Sequence, residues 1–226
     1  MTLAQTGSML AGVGLPLPSP AAGQVVQVHL TNIRGFRAID LKLGSVEGGL
    51  TPRSATVVIG KNGTGKTTLL RAICIALSDP STAQALLAQP IGSLITAGQN
   101  EAHIKVELLR AGAAAPEAIE VFLTATGSGV SLAWEGWEPV RGAWFLAAYG
   151  AGRSIVGTGA GDRNALDNVL SLFDYRHPLL DPELTLRRLQ DYLGETRYGT
   201  LRAALKRILD LGEDDDIQLP KGGGVE

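Results

Sequence analysis

The sequence predicts an α/β protein in which a set of antiparallel strands interrupts the alternation of strand and helix. Three observations predict it. Residues 60–67 read G-K-N-G-T-G-K-T, between the β-branched run Ala55-Thr56-Val57-Val58-Ile59 and a segment with Leu69, Leu70, Ile73 and Leu77 at helical spacing. Three alternating segments follow at 102–109, 118–124 and 130–134, joined by Gly- and Ala-rich turns. Beyond them Asp181-Pro182-Glu183 carries the signs of a helix start, with proline at the first position and an acid in the first turn. A doubly wound fold would alternate strand and helix after the loop, so the meander marks a β-rich insertion or a lateral sheet.

The elements follow in order. Residues 1–23 have no basic n-region and are rich in Gly, Pro, Ser and Ala; they read as a flexible arm rather than a targeting segment. Residues 24–30 alternate as a strand, 31–37 turn, and 38–43 form a second strand. A loop with Gly48, Gly49 and Pro52 leads to a buried strand at 55–59, then the glycine loop. The helix from Thr67 ends near Asp79-Pro80, and a second, about 82–88, is broken by Pro90. After the meander, 142–149 is an apolar strand, 150–164 a glycine-rich loop and 164–173 a helix. Two more helices run to about Leu193 and from about 199 to 211.

The G-x-x-x-x-G-K-[ST] spacing has a chemical reason. Gly60, Gly63 and Gly65 permit turns closed to other residues and a close approach to an oxygen-rich ligand. Successive amides then form an anion-binding nest at a helix N-terminus, whose partial positive charge favours phosphate. The binding set is Gly60, Lys61, Asn62, Gly63, Thr64, Gly65, Lys66 and Thr67, with Thr68 next. Lys66 reaches the β- and γ-phosphates and carries the catalytic role, and the Thr67 hydroxyl ligates Mg²⁺. ATP and Mg²⁺ are the implied ligands. Asn62 either bonds the β–γ bridge or favours the turn.

Composition bounds the rest. The chain has 226 residues, 45% hydrophobic and 19% charged, which is globular, and a net charge of −2, which makes no electrostatic case for DNA. Cys74 is the single cysteine, so no disulfide forms within one chain, in keeping with a reducing cytoplasm; it reads as a small core residue. His29, His103 and His177 lack partners at metal-ligand spacing. No apolar run approaches the roughly 20 residues of a membrane span. Trp134, Trp137 and Trp144 read as sheet packing before base stacking. Arg187, Arg188, Arg197, Arg202, Lys206 and Arg207, interspersed with acids, read as a mixed solvated face.

The run Val28-His29-Leu30-Thr31-Asn32-Ile33-Arg34-Gly35-Phe36-Arg37, followed by the glycine loop, resembles the N-terminal lobe of SMC/RecF-like ABC-class ATPases. In that family two strands around an N-x-R-x-F turn precede the phosphate loop, and an antiparallel sheet follows it. Ala148-Tyr149-Gly150-Ala151-Gly152-Arg153 and Ser171-Leu172-Phe173-Asp174 also resemble stretches of bacterial members, several serving DNA repair or anti-phage defence. The resemblance implies a P-loop NTPase (ABC-ATPase-like) N-terminal lobe over 24–219, with a lateral antiparallel sheet at about 102–149 and C-terminal helices at about 164–211. It implies ATP hydrolysis by a dimeric, nucleotide-gated switch. It also implies that Arg34 can lean on the nucleotide, where the residues alone leave a surface arginine at a tight turn equally open. Tyr149 and Arg153 would line the γ-phosphate side or a dimer partner, or be a strand-end anchor and an exposed arginine. The family's glutamine after the lateral sheet, its signature helix, its strand ending in Asp-Glu and its late histidine are missing. The run Glu213-Asp214-Asp215-Asp216 reads as a solvated loop. Residues 220–226 therefore look like a flexible tail or a truncation point. The head would be completed by a homodimer or by a partner chain supplying the signature half. An alternative is a non-catalytic, nucleotide-gated interaction module; a P-loop kinase lacks any acceptor site or lid to support it.

Overall fold

The computed structural model describes residues 24–43, 56–89, 92–110, 113–136, 146–152, 165–177, 181–212 and 215–217. The chain divides into two compact units, Met1–Gly150 with Asn164–Asp174, and Ala151–Arg163 with Tyr175–Glu226.

The first unit is built on one five-stranded antiparallel sheet of order β2-β1-β3-β4-β5. β1 (Gln24–Ile33) and β2 (Phe36–Lys42) form a hairpin, and β3 (Glu101–Leu109), β4 (Glu117–Thr126) and β5 (Gly129–Glu135) form the meander. β1 pairs with β3, with Leu30 opposite Ile104, so hairpin and meander are a single sheet. The period-two alternation puts Val28, Leu30, Ile104, Val106, Ile119, Val121 and Leu123 on one buried face. Two helices supply buried partners in the same core: α1 (Lys66–Leu77) with Leu69, Ala72 and Ile75, and α2 (Pro80–Leu87) with Ala83 and Leu86. An antiparallel sheet with helices packed in its core is the α/β arrangement that the sequence predicts. On the other face His103 stacks on Phe122 at 4.6 Å, and Lys105 stands 3.6 Å from Glu107 and 3.4 Å from Glu120. Cys74 lies in the core; burial pushes its thiol up to about 12, against a smaller opposing hydrogen bond to Ser78. Trp134 packs against the core from β5, while Trp137 and Trp144 lie outside the described residues.

Several elements differ from expectation, each for a physical reason. Thr56, Val57, Val58 and Ile59 do not form a buried strand. They carry no ladder, and Val57 and Ile59 are 78% and 90% exposed, because among the described residues no strand lies alongside to pair with them. The hairpin turn is shorter than the predicted 31–37: Ile33 pairs with Phe36, so Phe36 and Arg37 belong to β2. The second helix begins earlier, at Pro80, because the Asp79 side chain caps it by accepting from the amides of Ser81 and Thr82. The apolar segment expected as a strand at 142–149 is unpaired over its described part, 146–149. The helix expected at 164–173 is replaced by turns and a short 3₁₀ helix, Leu170–Leu172. A carbonyl such a helix would use is engaged elsewhere: Asn168 accepts from the Ala148 amide at 3.0 Å, and the Leu172 amide bonds the Val169 carbonyl at 3.1 Å instead.

In the second unit two late helices form as predicted, meeting at a kink within the run α3 (Pro182–Ile208) where Gly194 takes φ 69° and ψ 168°. Its start is the predicted one: Asp181 accepts from the Glu183 and Leu184 amides. Its basic residues face mixed company, with Arg187 2.8 Å from Glu183 and Arg202 3.4 Å from Asp216. Asp215 accepts from the Gly212 amide; Glu213 and Asp214, like residues 1–23 and 218–226, lie outside the described residues. Among the described residues no helix is long and apolar enough to cross a membrane.

The Asp79 cap carries a first prediction. Partial burial raises its pKa, but hydrogen bonds from Ser81 and Thr82 together outweigh this and hold the carboxyl below its ordinary value. A depressed carboxylate contributes stability above its unfolded value of about 3.9, and loses it as pH falls through the folded value. Asp79→Ala should lower stability by about 1 kcal/mol at neutral pH. The difference from wild type should shrink below about pH 4, as read by denaturant melts at several pH values.

Candidate functional site

The glycine loop and the N-terminal hairpin form one cleft of about 490 Å³, lined by Arg34, Gly35, Phe36, Asn62, Gly63, Thr64, Gly65, Lys66, Thr67 and Thr68. Gly63 and Gly65 take φ 83° and 92°, the left-handed region the motif's glycines are needed for. Gly65 is the N-cap of α1; no side chain caps it and no acid stands in the first turn, so the helix's positive end faces the cleft. Leu69 N–H donates to the Gly65 carbonyl at 2.9 Å.

Lys66 is folded back onto the loop: its Nζ donates to the Gly60 carbonyl at 2.6 Å and the Lys61 carbonyl at 2.7 Å. Thr64 Oγ1 donates to the same Lys61 carbonyl at 2.8 Å. Gly60 and Lys61 thus hold the lysine without lining the cleft. Thr67 is exposed and Thr68 is buried, 7% exposed, although both line the cleft.

Of the two arginines in the N-terminal turn, only Arg34 lines the cleft. It has φ 51°, its amide donates to the Leu94 carbonyl at 2.7 Å, and its Nε donates to the Ser93 carbonyl at 3.3 Å. Arg37 is exposed on β2 and does not line it. Tyr149 is 65% exposed and lies outside the lining; Arg153 is outside the described residues. Among the described residues no group of three or more His, Cys, Asp or Glu could hold a metal.

One residue of the site escaped the sequence reading. A Cβ on Gly65 would lie 2.3 Å from the Phe36 ring, so the ring covers the loop where it enters α1. Phe36 stands in the N-x-R-x-F turn, but nothing in its spacing says that it touches residue 65. Gly65→Ala should therefore be penalised twice: about 1–2 kcal/mol for left-handed backbone, and roughly 1–3 kcal/mol for crowding. Phe36→Ala in the Gly65→Ala background should recover the second part and not the first, so a double-mutant cycle of stability should be non-additive.

Residues 27–135 match a family model described as an AAA domain. The match spans the N-terminal hairpin, the glycine loop and the meander, and so includes the cleft, over slightly less than half of the chain. Among solved structures the chain is similar to two of the recombination mediator protein RecF in the RecFOR pathway, one with ATP and one with ATPrS. Both are 13% identical, with TM-scores of 0.38 and 0.37, over 85% and 87% of this chain. The chain spans 48% of the length of each of those structures. No curated protein matches its sequence.

Proposed function

We propose that this chain binds ATP with Mg²⁺ at the phosphate loop and acts as the nucleotide-holding lobe of an ABC-class head that works as a dimer. The observation that carries this reading is the cleft: left-handed glycines, a bare helix N-terminus, a lysine and three threonines converge there, with Arg34 beside them. Such donors suit a polyphosphate. The loop amides would bind the phosphates, and Lys66 would leave the Gly60 and Lys61 carbonyls for the β- and γ-phosphates. The Thr67 hydroxyl would hold Mg²⁺, which when bound neutralises charge on the phosphate oxygens. Thr68 would bond nearer the α-phosphate, and Arg34 would lean on the nucleotide.

Completion by a second half is supported by Val57, Val58 and Ile59. They are exposed and apolar at the mouth of the loop, where a neighbouring strand would cover them. DNA repair or anti-phage defence, in the cytoplasm, is the setting this reading proposes. Titration of the chain with ATP and Mg²⁺ in a calorimeter tests it; saturable heat absent at high micromolar protein would sink it.

A second reading is a nucleotide-gated interaction module without catalysis. It is favoured by the lining of the cleft, which among the described residues includes no Asp or Glu to orient an attacking water.

A further inference from the structure

We infer that Arg71 is a positioning residue for the nucleotide site. It fastens the phosphate-loop helix to the Leu170–Leu172 turn and, through Ser171, to segment 148–150, so that filling the cleft and seating that segment are coupled. The inference rests on the ATP-binding reading above and adds a route out of the site.

Arg71 lies on α1, little more than a turn after Lys66. Its Nε donates to the Leu172 carbonyl at 2.9 Å, and its guanidinium carbon lies 5.7 Å from the centre of the Phe173 ring. Ser171, Leu172 and Phe173 are all buried. From there the chain of contacts continues. Ser171 Oγ donates to the Ala148 carbonyl at 3.3 Å and accepts from the Gly150 amide at 3.4 Å. The backbones of Gly150 and Ser171 meet so closely that a Cβ on Gly150 would lie 2.1 Å from the Ser171 carbonyl oxygen. Segment 148–150 is therefore held by the same turn that Arg71 holds, and Tyr149 stands outward between its two fixed neighbours.

The cleft reaches Arg71 along α1, whose first residues Lys66, Thr67 and Thr68 line it, and the charge of Arg34 in the same lining adds to this. Burial, and then the charge of Arg34, push the Arg71 guanidinium below its ordinary range. Arg34 lines the cleft, so phosphates placed there would offset its charge and relieve the repulsion on Arg71. Arg71 would then sit more favourably on Leu172 and Phe173 with the cleft filled than without. That difference in interaction free energy is what coupling requires. A purely structural anchor would hold the turn equally well in both states.

Hydrogen exchange of the whole chain, with and without ATP and Mg²⁺, tests this. In the wild type, ATP should slow exchange several-fold in peptides covering 60–68, 146–152 and 165–174. In Arg71→Met, protection should persist at 60–68 and be lost in the other two segments. Arg71→Lys keeps the charge without the planar fork and should restore part of it. Ser171→Ala should keep protection at 165–174 and lose it at 146–152; this variant carries the test if Arg71→Met fails to fold. Wild-type protection of the two distant segments in Arg71→Met or Ser171→Ala would overturn the inference. So would a wild-type chain in which ATP protects 60–68 alone. Absence of protection at 60–68 would overturn the ATP-binding reading itself, and this inference with it.

Discussion

Lys66→Ala should weaken ATP binding at least tenfold, about 1.4 kcal/mol or more, while the fold survives. The lysine makes no contribution to the core: its Nζ bonds only loop carbonyls at Gly60 and Lys61. Those two bonds are what ATP must exchange for phosphate contacts, so the lysine supplies charge to the ligand rather than packing to the protein. Removing it leaves the nest of amides and the helix N-terminus in place but strips the mobile cation. Calorimetric titration of both proteins reads the difference directly. Equal affinity, with matching thermal melts, would show that the cleft does not hold a triphosphate in the proposed way.

The 226-residue chain by itself should turn over ATP no faster than background and should stay monomeric with ATP and Mg²⁺. Hydrolysis needs a group that orients water, and the cleft lining contains no carboxylate among the described residues. Supplying a C-terminal half, in cis or as a partner chain, should give ATP-dependent dimers and turnover, because ligand that favours the associated form drives association. The exposed run before the loop provides an independent handle. Val57→Lys with Ile59→Lys changes residues that are 78% and 90% exposed, so stability of the isolated chain should move by no more than about 0.5 kcal/mol. The same pair should block completion, since two charges would then have to be buried beside a strand. Light scattering and a phosphate-release assay decide both parts. Sustained turnover by the isolated chain, abolished by Lys66→Ala, would reveal a catalytic residue outside the cleft described.

The loop cleft was legible because its pattern is local. The spacing from Gly60 to Thr67 places glycines, lysine and threonine on one loop whatever surrounds it, and the cleft contains six of those positions, Asn62 through Thr67, together with Thr68. The meander was legible for a similar reason: alternation in 102–109, 118–124 and 130–134 is the pattern of a half-buried sheet, and β3, β4 and β5 follow it closely. Contacts between distant positions were not legible. Phe36 over Gly65 joins positions far apart in sequence, and Arg71 to Leu172 joins positions much further apart.

By itself, then, the amino-acid sequence determined the glycine loop, the helix that opens from it and the antiparallel character of the region after them. All three follow from short-range patterns: backbone freedom at glycine, helix polarity and side-chain period. The tertiary structure decided which apolar segments become elements. Residues 56–59 and 146–149 have strand-like composition but, among the described residues, no strand to pair with, and an extended segment is stabilised by its ladder rather than by its own residues. It also decided that 165–173 is a set of turns, because the Asn168 carbonyl bonds to the Ala148 amide instead of closing a helical turn. Helix and strand propensities are differences of well under a few kcal/mol per residue, and a single buried hydrogen-bonded contact from elsewhere in the chain is enough to override them.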